Sequence, residues 1–124
     1  SSVSDRNMKE NFAEVAGAAL LEKINAMPMS TWNYKSQDAR IRHMGPMAQD
    51  FRAAFGLGED ERHIDTIDAD GVALAGVQAL YRLAQQQEAQ LARQQAEISE
   101  LREALLSLQR QPGAQVSLAV SSGK

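Results

Sequence analysis

Apolar residues recur at three- and four-residue steps through Phe12, Val15, Ala19, Leu20, Ile24 and Met27, which is one stripe of an amphipathic helix. Asn7 with Glu10 three positions later has capping-box spacing, so the pattern predicts a helix over residues 7–27 capped by Asn7. Pro28 ends it, because proline disfavours helical backbone in the residue before it. The period then changes. Trp32, Tyr34 and Ile41 alternate with polar neighbours around a turn at residues 36–39, which predicts a small β-hairpin within residues 29–44. Gly45-Pro46 breaks that run. Met47, Phe51, Ala54 and Phe55 predict a short helix stopped by Gly56-Leu57-Gly58. Residues 63–67 read as a brief strand. Trp32, Tyr34, Met44 and Met47 read as core.

Asp68 or Asp70 offers an N-cap for a long final helix. Gly71 and Gly76 weaken its first turns, and nothing interrupts it before Pro112. It carries a seven-residue repeat: Val77, Ala84, Leu91, Ile98 and Leu105 share one position, and Leu80, Gln87, Gln94, Leu101 and Leu108 share the matching one. The stripe spans about 48 Å at a 1.5 Å rise per residue. Its flanks are Gln, Arg, Glu and Ala, too polar for a globular core. A stripe so narrow on so polar a helix needs another helix to bury it, most simply its own copies. A helix folded back on its own domain is the competing arrangement. Gln87 and Gln94 are polar layers of the kind that set register and oligomer state.

Composition narrows the classes. With 124 residues the chain makes one domain, or one small domain plus an extended element. Apolar residues are 44% but aromatics only 5%, which suits a helical core of Ala, Leu, Val and Met. A net charge of −3 without a basic run gives no nucleic-acid surface. Without cysteine there is no disulfide, thiol nucleophile or Cys-based metal site. The longest apolar stretch, residues 15–21, falls far short of the roughly 20 residues of a membrane span. No signal peptide is read, and a start at Ser-Ser-Val rather than Met leads us to expect a piece of something longer.

Few residues suggest chemistry on their own. Asp65, Asp68 and Asp70 with Gly71 resemble a calcium loop, but Thr66 and Val77 occupy positions where ligands are needed, so they read as caps and turns. His43 and His63 are isolated. Asp5 and Glu10 suit the positive end of a helix. No cofactor or metal is expected.

The opening Ser4-Asp5-Arg6-Asn7-Met8-Lys9-Glu10-Asn11-Phe12 resembles the start of the endosialidase-type C-terminal intramolecular chaperone domain of phage tail spikes and fibres, classed with the S74 peptidases. Trp32-Asn33-Tyr34-Lys35, the run from Arg42-His43-Met44-Gly45-Pro46 to Phe51, and a closing helix through Leu80 follow in the family's order, so the resemblance covers residues 4–83. Asn7 stands where members often have an arginine, with Arg6 one place earlier. The resemblance implies a homotrimer that helps an upstream segment of the same chain to fold and then cuts itself off. Ser4 would be the nucleophile and Lys9 the general base, with Asp5, Arg6 and His43 as supporting candidates. It also implies a phage tail precursor assembled in the bacterial host cytoplasm, without nucleic-acid or membrane partners. The alternative is a non-cleaving trimerisation module capping a phage fibre or a bacterial cell-surface protein.

Chemistry constrains that site. A serine hydroxyl needs a base, and lysine serves only when neutral, which burial or nearby positive charge favours. Five residues along one helix separate side chains by about 140°. Ser4 must therefore lie in extended chain that folds back, or Lys9 must come from a neighbouring subunit. Attack on the Val3 carbonyl closes a five-membered ring, which favours cleavage at Val3-Ser4. Ser4-Asp5 is the alternative, open to the serine of another chain. The expected organisation is an upstream remnant at 1–3, a globular chaperone part at 4–75, a trimeric coiled-coil helix at 76–110 and a loose tail at 111–124. The fold class is thus mainly α with a small hairpin and a long C-terminal helix.

Overall fold

A computed structural model of the chain describes residues 2–112. In it a 3₁₀ turn at Arg6–Met8 precedes α1 (Gly17–Ala26), β1 (Ser30–Trp32), β2 (His43–Gly45), α2 (Ala48–Phe55) and α3 (Thr66–Arg110). The protein is mainly helical with one two-stranded antiparallel hairpin and a long C-terminal helix, the class its periodicity predicts. The chain divides into two units, Ser1–Arg82 and Leu83–Lys124. The first holds α1, the hairpin, α2 and the start of α3; the described part of the second is dominated by the continuation of α3. Most of the tail expected from residue 111 onward lies outside the described residues.

The first helix begins ten residues later than its apolar pattern predicts. Asn7 sits inside the 3₁₀ turn, Lys9 is extended (φ −122°, ψ 153°), and Asn11 is left-handed at φ 56°, which a right-handed helix cannot contain. α1 starts only after Ala16, itself extended at φ −80° and ψ 102°. The physical reason is burial. Helices this short depend on packing one face, and Phe12 is 73% exposed with Val15 also exposed. Leu20 and Ile24 do pack, and the helix forms around them. Met27, extended, ends it beside Pro28.

The hairpin pairs Ser30 with Gly45, Thr31 with Met44 and Trp32 with His43. Two tight bends close it: the Gln37 amide donates to the Tyr34 carbonyl (3.1 Å) and the Ile41 amide to the Asp38 carbonyl (2.9 Å). Arg42 braces its side, donating to Asn33 Oδ1 and Thr31 Oγ1, both at 3.1 Å. Trp32 is half-buried and donates from Nε1 to the Gly45 carbonyl at 3.3 Å. Tyr34 and Met44, expected in the core, are 52% and 75% exposed, and Met47 is exposed too. A ladder of two three-residue strands has no sheet behind it to cover a second face.

α2 is the predicted short helix. It stops where Gly56 adopts φ 64°, a left-handed cap whose amide donates to the Arg52 carbonyl at 2.8 Å. Residues 63–65 form no strand; α3 already begins at Thr66. Its cap is Asp65 rather than Asp68 or Asp70, because Asp65 Oδ1 accepts from the Ile67 amide at 2.9 Å.

Packing centres on a close crossing of α1 and α3. A Cβ placed on Gly17 would lie 3.0 Å from Ala79 Cβ, and one on Gly76 would lie 3.1 Å from Ile24 Cδ1. Among the described residues the buried apolar side chains are Leu20, Phe51 and Ala79. Phe51, at 4% exposure the most buried of these, meets Phe55 with ring centroids 5.0 Å apart. Beyond Ala79 every described residue is exposed, and Leu101 in the heptad stripe is 69% exposed. Among the described residues none covers that stripe.

Candidate functional site

The residues before α1 have no regular partner, so their geometry is set locally. Asp5 lies in extended backbone, and its Oδ1 accepts hydrogen bonds from the Asn7 amide (2.9 Å) and Asn7 Nδ2 (3.2 Å). That cap holds a single 3₁₀ turn, in which the Met8 amide donates to the Asp5 carbonyl (3.1 Å) and the Lys9 amide to the Arg6 carbonyl (3.2 Å). The turn folds the chain back. Lys9 Nζ donates a 2.5 Å hydrogen bond to Ser4 Oγ.

Fully extended, five residues would separate Ser4 and Lys9 by about 17 Å, beyond the reach of a lysine side chain. On one straight helix they would point to different faces. Ser4 precedes an extended Asp5 and one tight turn, and the two side chains meet within one chain. Both side chains are exposed.

The other supporting candidates fall in different places. Asp5 is the cap of the turn, and Asn7, expected to cap a helix over 7–27, lies inside it. The Arg6 guanidinium forms no hydrogen bond or ion pair among the described residues. His43 points elsewhere: its Nε2 meets Gln37 Oε1 at 3.0 Å, and its ring lies 5.1 Å from both Trp32 and Tyr34. With Trp32 and Tyr34 edge-on at 4.8 Å, the three rings form one cluster on the hairpin. The motif segments at 32–35 and 42–51 therefore build the hairpin and the Phe51 core rather than line the Ser4–Lys9 pair.

Two exposed carboxylates are shifted. The Arg40 guanidinium beside Asp38, bonded at 2.7 Å, holds that carboxyl below the usual aspartate range and is itself raised in return. His63, bonded through Nδ1 at 3.0 Å, does the same to Asp60, helped by the Arg62 amide. Both pairs are solvent-screened surface contacts that tie loops. Asp65 caps α3 and Asp68 lies in its first turn, and among the described residues no group of three His, Cys, Asp or Glu is placed to hold a metal ion. No helix among those residues is long and apolar enough to cross a membrane.

A serine hydroxyl is thus held against a lysine amine, ahead of a small helical unit with a hairpin. Residues 4–57 match the family model of the S74 peptidases described as chaperone of endosialidase. The match begins at Ser4, takes in Lys9, the hairpin and α2, and supports a chaperone role for this segment together with the peptidase character of that family. It stops at Leu57, short of the residue 83 reached by the motif resemblance. A search of curated proteins returned no match.

Proposed function

We propose that the chain is an intramolecular chaperone that trimerises through α3, helps an upstream tail spike or fibre to fold in register, and is then released by its own Ser4. The observation that carries the proposal is the Lys9–Ser4 hydrogen bond, made inside the segment that matches the chaperone family. The uncovered heptad stripe supports the trimer, because exposed Val77, Leu80, Leu91, Ile98, Leu101, Leu105 and Leu108 gain most by packing against copies of themselves. Ala84, Gln87 and Gln94 complete those layers. Holding three chains together at one end raises their effective concentration and favours slow, non-local β pairing over aggregation. The setting that fits is a phage tail precursor folding in its bacterial host.

In the cleavage step Ser4 Oγ attacks the Val3 carbonyl carbon through a five-membered ring, while a neutral Lys9 takes the hydroxyl proton. The Val3–Ser4 C–N bond breaks, the proton passes to the departing Ser4 amine, and an ester remains on Oγ. Water then hydrolyses the ester. The upstream chain ends in the Val3 carboxylate and the chaperone starts at a free Ser4 amine, its hydroxyl restored. Burial favours the neutral amine, and Lys9 is exposed in one chain, so assembly is the event that switches the base on.

The test is a longer precursor carrying an upstream segment, compared with its Ser4→Ala and Lys9→Ala forms by gel mobility and N-terminal sequencing. The expected result is two fragments from the parent, the smaller beginning at Ser4, and only full-length chain from both variants. A fragment beginning at Asp5 would move the cut to Ser4-Asp5. Equal full-length bands in all three would remove the protease and leave the non-cleaving trimer module.

A further inference from the structure

We infer that Asp5 is the positioning residue of the Ser4–Lys9 pair: its side chain, by capping the turn at Arg6–Met8, brings the amine to the hydroxyl. The inference rests on the proposed self-cleavage, but its central claim is geometric. The two amide bonds of the turn are single 3₁₀ contacts between exposed residues, where water competes with each of them. No side chain of Arg6 or Met8 is buried to hold the turn in place. What remains is Asp5 Oδ1, which accepts from both the amide and the side-chain Nδ2 of Asn7. Without that acceptor only those two exposed amide bonds and the Lys9–Ser4 bond itself oppose extension, which carries Lys9 beyond reach of Ser4. Asp5 touches neither the hydroxyl nor the amine by any hydrogen bond, so it acts through the backbone.

A cap works through an oxygen acceptor and not through charge, and asparagine caps as well as aspartate. Asp5→Asn keeps the acceptor, whereas Asp5→Ala removes it. In the precursor, Asp5→Ala is expected to slow cleavage about fivefold, equivalent to roughly 1 kcal/mol at ~1.36 kcal/mol per tenfold, with Asp5→Asn restoring the parental rate. Thermal midpoints should be the same for all three, since Asp5 supports no packed core. A second measurement does not depend on cleavage. Nuclear Overhauser contacts between the Lys9 ε-protons and the Ser4 β-protons in the 124-residue chain should keep their intensity in Asp5→Asn and weaken, by up to about fivefold, in Asp5→Ala. Asparagine as slow as alanine would show that the charge matters and overturn the inference. So would a Lys9–Ser4 contact as strong in Asp5→Ala as in the parent. If the parent precursor is never cut, self-cleavage fails as a function, and the proton contacts alone decide the role of Asp5.

Discussion

Two glycines at one helix crossing should respond unequally to the same substitution. Gly17 faces Ala79 and Gly76 faces Ile24, and an added methyl would come to 3.0 Å and 3.1 Å of those neighbours. The distances are nearly equal; the neighbours are not. Ala79 Cβ is fixed to the backbone of α3 and has no rotamer to give, with its Cα only 3.7 Å from the new methyl. Carbon atoms settle at about 3.5–4.0 Å, so Gly17→Ala must push α1 off α3 by several tenths of an ångström. Overpacking of this kind costs about 1–3 kcal/mol. Gly17 is the first residue of α1, where the gain in helix propensity is least. Ile24 Cδ1, by contrast, ends a side chain that can swing away for roughly 0.5–1.5 kcal/mol of rotamer strain. Gly76 lies well inside α3, where alanine gains about 1 kcal/mol over glycine. The net for Gly76→Ala is near zero. Gly17→Ala should therefore melt below Gly76→Ala by about 4–8 °C for each kcal/mol of difference. Circular dichroism melts at one fixed protein concentration measure this, since assembly makes the midpoint concentration-dependent. If Gly17→Ala melts at or above Gly76→Ala, the close α1–α3 seam is not what holds the first unit together.

Other consequences are simpler. Phe51→Ala removes the most buried apolar side chain described and should cost about 3 kcal/mol or more, read as a drop in urea midpoint. Leu101→Asp places a charge in the exposed heptad stripe and should turn a trimer into monomer by sedimentation equilibrium, while a parent chain that sediments as monomer refutes the trimer. Asp60 should titrate below the ordinary 3.8 and return toward it in His63→Ala, as followed by carboxyl carbon shifts. Because folding depresses that value, the contribution of Asp60 to stability is complete above the unfolded value and is lost as pH falls through the folded one.

Much of this protein was legible from the order of its residues. The hairpin, α2 with its glycine stop, and the long α3 each follow from a repeat or a breaker that acts over a few residues, so local chemistry decides them. The Ser4–Lys9 pairing could be narrowed from sequence to an extended serine folding back or a second subunit, but not chosen. Within one chain the fold-back rests on one side-chain cap at Asp5 and one tight turn, whose energies are too small to show in any pattern of apolar positions. The start of α1 shows the same limit. Phe12 and Val15 fit the stripe as well as Leu20 does, yet only Leu20 finds a surface to bury against. Periodicity states which face of a segment is apolar; whether that face meets a partner, and so whether the segment becomes helix, is settled by what the folded chain places opposite it.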